Sequence, residues 1–307
     1  MTKPIERVAI LGAGALGAFY GSKFFEMDEN SICFVAKGER YERLKEKGVY
    51  INNTKYRLKV VKPEDAASPS DLIIVALKHH HLPEAIGDIR NQVGADTLIM
   101  SVMNGIESEE YIGAVYGMDK VLYCVSVGID ALRVENRVTC GRQGKLLFGE
   151  ANNTVVLEKV KRVQALLDRA GLIYETPEDM IRILWWKFMI NVGINQASAV
   201  LRAPFKVFHS SPDARQIMEA AMREVIAVAN AAGVRLMEED IENWYTVLST
   251  INPDGKTSML QDIEAGRKTE VEMFAGKVVE LGRTYGIPTP VNVTLLRIIK
   301  VMEEYSN

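Results

Sequence analysis

The sequence predicts an α/β chain in two parts: a doubly wound, mostly parallel sheet in the first half and an all-α second half. Three observations carry that expectation. Short apolar runs alternate with helical patterns through the first half, strand signals stop near residue 180, and a glycine-rich turn joins the first strand to the first helix.

Residues 7–11 (RVAIL) form a short apolar run, the pattern of a buried parallel strand. After the glycine-rich turn a helix runs through Phe25, and residues 31–36 (SICFVA) give the second strand. Residues 49–61 read as a hairpin, with alternation at Tyr56, Leu58 and Val60 and a turn at Asn52 and Asn53. Residues 71–77 and 97–102 are two more buried strands with a helix between them, and 121–127 is another. Residues 134–149 predict a further hairpin. Residues 155–170 predict an amphipathic helix carrying Val156, Val160, Val163, Leu166 and Leu167, and 172–175 a closing strand.

Beyond that point 181–203, 213–233, 237–250, 258–285 and 291–305 carry helical periodicity. Breaks fall at Pro204, Pro212, Pro253 with Gly255, and Pro288 with Pro290. The junction is placed near 176–179, giving domains 1–178 and 179–307.

A chain of 307 residues accommodates two such domains, and 48% apolar with 25% charged residues is ordinary globular usage. The net charge of −3, without a long basic run, argues against nucleic acid as a partner but not against small anions. Cys33, Cys124 and Cys140 form no CxxC pair or disulfide framework, which fits a reducing cytosol. No signal-peptide core precedes the first strand and no apolar stretch spans a bilayer, so a cytoplasmic protein without membrane contact is expected. Apolar helix faces are compatible with a homodimer.

Gly12, Ala13, Gly14, Ala15, Leu16 and Gly17 match G-x-G-x-x-G between a buried strand and a helix, the context that gives the pattern meaning. Gly12 permits the tight turn, Gly14 a close approach of backbone to a pyrophosphate, and Gly17 close helix–strand packing. The helix N-terminus offers N–H groups and partial positive charge to phosphates. The first domain is therefore expected to be of the Rossmann type, binding a nicotinamide dinucleotide.

An acidic residue about 20 positions on would accept hydrogen bonds from a ribose 2′-hydroxyl. The chain has Lys37 there, 20 residues after Gly17, and Arg40 just beyond, which favours NADP(H) despite Glu39 between them. Solvated surface charges are the alternative. Lys78 and Asn104, each just beyond a strand's carboxyl end, stand where such sheets bind ligands; Asn104 is placed to meet the cofactor ribose or the substrate, although before Gly105 it also suits a turn. His79, His80 and His81 do not make a metal site, because adjacent residues cannot face one centre.

Lys187, Asn191 and Asn195 stand four residues apart, so on a helix they stack along one face, each about 40° round from the last. The rest of 183–194 is almost wholly apolar. Either a small polar substrate meets this cation and its two amides, or their own protein satisfies them. A lysine in a partly apolar pocket has a lowered pKa and can protonate the alkoxide formed when a ketone is reduced. Ser258 opens a helix, where it either caps or offers its hydroxyl to a carboxylate. Glu270 is read three turns further along, where it either pairs with Lys187, bonds the substrate or cofactor, or is a solvated helix residue.

These motifs together resemble the ketopantoate reductase family over nearly the whole chain: the glycine loop, Lys78, Asn104 with Gly105, Lys187–Asn191–Asn195, and Ser258 through Asp262 to Glu270. The resemblance implies Lys187 as proton donor and Asn191, Asn195 and Ser258 as substrate ligands. It implies that Glu270 helps close the ternary complex, and that Gly12 to Gly17, Lys37, Lys78 and Asn104 hold NADPH. The implied reaction is reduction of 2-dehydropantoate, a small 2-oxoacid, to (R)-pantoate on the way to pantothenate and coenzyme A. One position departs. Ten residues past the second Asn the family commonly has a substrate-contacting asparagine, and here stands Phe205, which implies an altered pocket. A reductase of another small 2-oxoacid or hydroxy acid shares this architecture. A non-catalytic NADPH sensor would need the glycine loop but not Lys187 and its amides.

Overall fold

The computed structural model describes residues 3–65 and 68–305. Contacts divide the chain into two units, Met1–Ile183 and Leu184–Asn307.

The first unit is built on one ten-stranded sheet. In chain order its elements are β1 (Val8–Leu11), α1 (Ala15–Met27), β2 (Ile32–Val35), α2 (Gly38–Lys47), β3 (Val49–Ile51), β4 (Thr54–Tyr56), β5 (Lys59–Val61), β6 (Leu72–Val75), α3 (Leu82–Ala85), β7 (Leu98–Ser101), α4 (Ser108–Tyr116), β8 (Val121–Val134), β9 (Arg137–Gly149), α5 (Glu158–Arg169) and β10 (Tyr174–Glu175). The path across the sheet is β4-β3-β9-β8-β7-β6-β1-β2-β5, with β10 beside β9. From β5 to β8 every pairing is parallel. The chain runs outward from β1 to β2, then returns to β6 on the other side, so the switch point lies between β1 and β6.

The two-residue period of the central strands sorts their side chains onto both faces. Val8 and Ile10 share one core with Ala18 and Phe19 of α1 and Val160 and Val163 of α5. Ala9 and Leu11 share the other with Leu82, Ile86 and Ile112. Both faces are covered, which is why these strands read as unbroken apolar runs.

Three expectations need correction here. Residues 49–61 are not one hairpin. β3 and β4 do pair around Asn52 and Asn53, both at positive φ, but β5 leaves them and pairs parallel with β2. Tyr56 and Leu58 remain buried in one core, so the alternation reported burial on one face and not the pairing partner. The second correction concerns 121–127 and 134–149, which are one long hairpin of β8 and β9 turning at Glu135 and Asn136. Beyond Val127 its outer arm alternates between half-buried and exposed, so its apolar pattern fades. Lastly, the segment between β6 and β7 is α3 flanked by two 3-10 turns and not one helix.

The second unit is helical: most of α6 (Met180–Leu201), then α7 (Phe205–Ser210), α8 (Pro212–Ala231), α9 (Glu239–Leu248), α10 (Ser258–Glu264), a π turn over Glu272–Gly276, α11 (Lys277–Tyr285) and α12 (Pro290–Tyr305). α6 is apolar nearly all round and almost wholly buried, as expected of such a helix. Gly193 lets α8 approach it closely. A Cβ there would come within 2.6 Å of the Met222 side chain and 2.9 Å of the Met218 carbonyl oxygen. Phe188 of α6 meets Phe274 of the π turn, ring centres 6.4 Å apart. On α6 Gln196 donates to Asn292 (3.1 Å), which donates to Glu224 (2.7 Å), whose carboxylate also accepts from the Val291 and Asn292 amides at the start of α12.

The expected helix over 258–285 is broken. α10 ends near Gly266, at positive φ, where the Arg267 amide bonds back to the Asp262 carbonyl. Helix resumes only at the π turn. Glu270 is therefore not three turns along the helix that Ser258 opens. No helix among the described residues is long and apolar enough to cross a membrane.

Candidate functional site

In the first unit the carboxyl ends of β1, β2, β6 and β7 bring the glycine loop, Lys37, Lys78 and Asn104 to one edge of the sheet. Gly12 has φ +106°, and a Cβ on it would overlap the Ala76 carbonyl oxygen. A Cβ on Gly17 would overlap the Gly12 carbonyl oxygen. Both glycines are required by the protein's own packing. Gly14 is different: a Cβ there would have only the Ala76 oxygen nearby, at 3.8 Å. The loop leaves an open approach at Gly14, beside the unpaired amides that begin α1 at Ala15 and Leu16. That cradle fits a dinucleotide pyrophosphate.

Beside it lies a pocket of about 300 Å³ lined by Gly12, Ala36, Lys37, Arg40, Leu77 and Asp88, among others. Lys37 caps the start of α2, is mostly exposed, and pairs with Asp88 at 2.8 Å. The sequence had offered Lys37 as a cation facing a ligand. The structure adds an ion-pair partner, Asp88. Arg40 is exposed on the first turn of α2. Lys78 and Asn104 are half-buried, neither is without a partner, and Gly105 after Asn104 has φ +99°. His79, His80 and His81 form a 3-10 turn in which the last two rings stand 4.2 Å apart, and the described residues hold no metal-ligating cluster.

One residue the motifs missed is Arg133. It reaches the glycine loop from the end of β8 and donates to the Ala13 carbonyl. Only the fold of the long hairpin brings it there, so no local spacing announces it.

Behind the Asn104 turn sits a buried carboxyl. Ser101 and Ser108 share a 2.7 Å hydrogen bond, and Ser108 donates to Glu109 Oε2 at 2.8 Å. Glu109 Oε1 has no partner among the described residues, and burial pushes this carboxyl up to about 7. The folded protein thus holds a proton that the unfolded chain releases near its ordinary value. Stability falls as pH rises between the two and the penalty is complete above pH 7. Glu109→Gln is expected to raise the melting temperature at pH 8 by roughly 2–4 °C for each kcal/mol relieved, and to lose most of that gain near pH 5. Calorimetry showing the same shift at both pH values would contradict this.

In the second unit α6 carries Lys187, Asn191 and Asn195 on one face. Lys187 is half-buried, and burial lowers its pKa to about 8. No hydrogen bond or ion pair engages its ammonium among the described residues. Asn191 and Asn195 are each 5% exposed. Asn191 has a partner, whereas the Asn195 carboxamide makes no hydrogen bond among the described residues.

One turn past Asn195, Ser198 donates to the Ala203 carbonyl (2.6 Å) and shares a 3.2 Å hydrogen bond with Thr257. Thr257 is the true cap of α10, accepting from the Leu260 amide, so Ser258 is free of that duty and lies exposed in the first turn. Phe205 opens α7 and its ring lies over Gly255, in the loop leading to α10. Glu270 is half-buried, has a partner, and directly follows Thr269, whose amide donates to Glu303 of α12 at 2.7 Å. The π turn begins two residues later, and such turns are frequent at functional sites.

A doubly wound unit with a phosphate-cradling glycine loop, continued by a helical unit that holds an amine and amides in apolar surroundings, defines a dinucleotide-dependent reductase. Comparison with known proteins narrows the class. Residues 8–153 match the family model described as ketopantoate reductase PanE/ApbA, and residues 179–303 match that of its C-terminal part. The chain is 31% identical over 303 residues to 2-dehydropantoate 2-reductase of Archaeoglobus fulgidus, covering 97% of this chain and 98% of the relative. Among solved structures it resembles 2-dehydropantoate 2-reductase from Geobacter metallireducens (26% identity, TM-score 0.84, covering 96% and 99% of the two chains). It also shares the fold of D-mandelate dehydrogenase solved with NADH and anilino(oxo)acetate (22% identity, TM-score 0.85, covering 98% and 99%). The chain belongs to the ketopantoate reductase family and is an oxidoreductase of the 2-dehydropantoate 2-reductase type.

Proposed function

We propose that this protein reduces 2-dehydropantoate to (R)-pantoate with NADPH, in pantothenate and coenzyme A biosynthesis, and that Lys187 donates the proton. The observation that carries the reading is the half-buried Lys187 ammonium, its pKa lowered to about 8 by burial, in register with Asn191 and the unpartnered Asn195. When bound, the reduced nicotinamide supplies a hydride to the 2-carbonyl carbon. Lys187 polarises the carbonyl oxygen beforehand, then gives it a proton as the alkoxide develops. Asn191 and Asn195 hold the substrate's hydroxyl and carbonyl groups, since a carboxamide both donates and accepts. Ser258, relieved of capping by Thr257, offers its hydroxyl to the carboxylate. Glu270, next to the Thr269–Glu303 clamp, helps close the ternary complex by bonding to substrate or cofactor.

On the cofactor side the G-x-G-x-x-G residues take the pyrophosphate, Lys37 and Arg40 the adenosine ribose with its 2′-phosphate, and Lys78 and Asn104 the edge beyond β6 and β7. Steady-state reduction of 2-dehydropantoate with NADPH and with NADH tests substrate and cofactor together. A kcat/KM at least about tenfold higher with NADPH is expected from one or two charge-assisted contacts. Equal values would remove the argument from Lys37 and Arg40.

Phe205 supports a second reading. A ring stands over Gly255 where relatives of this family commonly carry a carboxamide, which favours a small 2-oxoacid with a more apolar side chain. A panel of 2-oxoacids followed by NADPH oxidation separates the two, since only the first reading puts 2-dehydropantoate at its head.

A further inference from the structure

Arg133 stands where the β8–β9 hairpin nears its tip, close to the point where β9 pairs with β3. Its Nε–H donates to the Glu135 carbonyl at 2.7 Å, and its Nη1–H to the Ala13 carbonyl within the glycine loop. Two bonds to carbonyl oxygens fix the direction of the guanidinium but leave its charge unanswered. The charges nearby have the same sign. Burial, then Arg43 and Arg40 of α2, hold Arg133 below the ordinary arginine range. Among the described residues no carboxylate pairs with Arg40, Arg43 or Arg133.

Like charges kept together without a counter-charge repel, and the arrangement persists at a cost. A multiply charged anion reverses that cost. Its place follows from the fold: α2 follows β2, whose carboxyl end faces the 2′-position of a bound adenosine ribose. Arg40 and Gly12 line the pocket at that corner, and Arg133 bonds the carbonyl of Ala13, the next residue along the loop. Lys37, already answered by Asp88, is the weaker candidate for a dianion.

We propose that Arg133 and Arg40 together grip the 2′-phosphate of NADPH, so that the hairpin tip is a specificity-determining part of the cofactor site. A guanidinium fork suits a phosphate better than a point charge does. The proposal rests on the NADPH reading of the Lys37–Arg40 segment. The two are separable, because the unmodified protein tests that reading and the variants test Arg133.

The test is isothermal titration of NADPH and NADH into the full-length wild-type, Arg133→Ala and Arg133→Lys proteins, with melting temperatures as a folding control. The wild type is expected to prefer NADPH. Arg133→Ala is expected to weaken NADPH by about tenfold or more and to leave NADH within about twofold, with Arg133→Lys in between. Equal loss of both ligands would overturn the proposal, since Arg133 would then act on the loop or the pyrophosphate. Loss of neither would overturn it too. A wild type indifferent to the 2′-phosphate would overturn the NADPH reading and this assignment with it. If Arg133→Ala melts early, Arg133→Lys carries the same comparison: loss confined to NADPH supports the proposal and shared loss refutes it.

Discussion

Lys187→Ala is expected to lower kcat for 2-oxoacid reduction by about 10²–10⁴-fold, the usual contribution of a positioned general acid, while dinucleotide binding persists. The wild-type rate should carry the same signature. The ammonium keeps its proton below its pKa of about 8 and loses it above, so kcat/KM for reduction is expected to fall about tenfold per pH unit beyond that point. Lys187→Arg retains charge but cannot release a proton near neutrality, and it should recover little of the rate. Burial that tunes the amine also strains the fold. Its folded-state pKa lies below the unfolded value, so the penalty is complete below about pH 8 and is relieved as pH rises toward 10.5. Lys187→Met should therefore melt higher than wild type at pH 7 while being inactive. Full turnover by a folded Lys187→Ala protein would remove the proton-donor role.

Alanine in the glycine loop should separate folding from binding. At Gly17 the new Cβ meets the Gly12 carbonyl oxygen, a backbone atom that cannot step aside. Gly17→Ala is expected either to abolish dinucleotide binding, with a loss of about 100-fold or more (about 2.7 kcal/mol), or to prevent folding. At Gly14 the Cβ has room, and Gly14→Ala should melt like the wild type. It should still weaken the dinucleotide by about tenfold, because the methyl group stands where backbone would approach the phosphates. Titration calorimetry beside thermal melting decides the matter. A Gly14→Ala protein that binds normally would mean the open side of the loop is not where the ligand lies.

Sequence reading reached what short-range chemistry encodes. Residues 8–11 announced a buried strand because both faces of that strand are covered, and the glycine loop announced itself because packing forbids side chains at Gly12 and Gly17. Lys187, Asn191 and Asn195 were legible because helical spacing alone aligns them. What escaped depends on distant pieces of chain. Lys59 to Val61 could not reveal β2 as partner, and nothing near Arg133 points to Ala13. Asp88 beside Lys37 lies 51 residues away. The break before Glu270 was hidden for another reason: polar residues 267–270 suit a solvated helix face as well as a loop, and Gly266 alone had to tip the balance.

The bare backbone at Gly193 has a practical corollary for engineering. Because no side chain cushions α6 against α8 there, the two helices rest on one another with little slack, and the amine's location inherits that stiffness. Libraries aimed at new 2-oxoacids should diversify the ground around Phe205, where a ring and a loop can rearrange. Changes at Met218 or Met222 are expected to shift the scaffold under Lys187 and to lower turnover of every substrate alike.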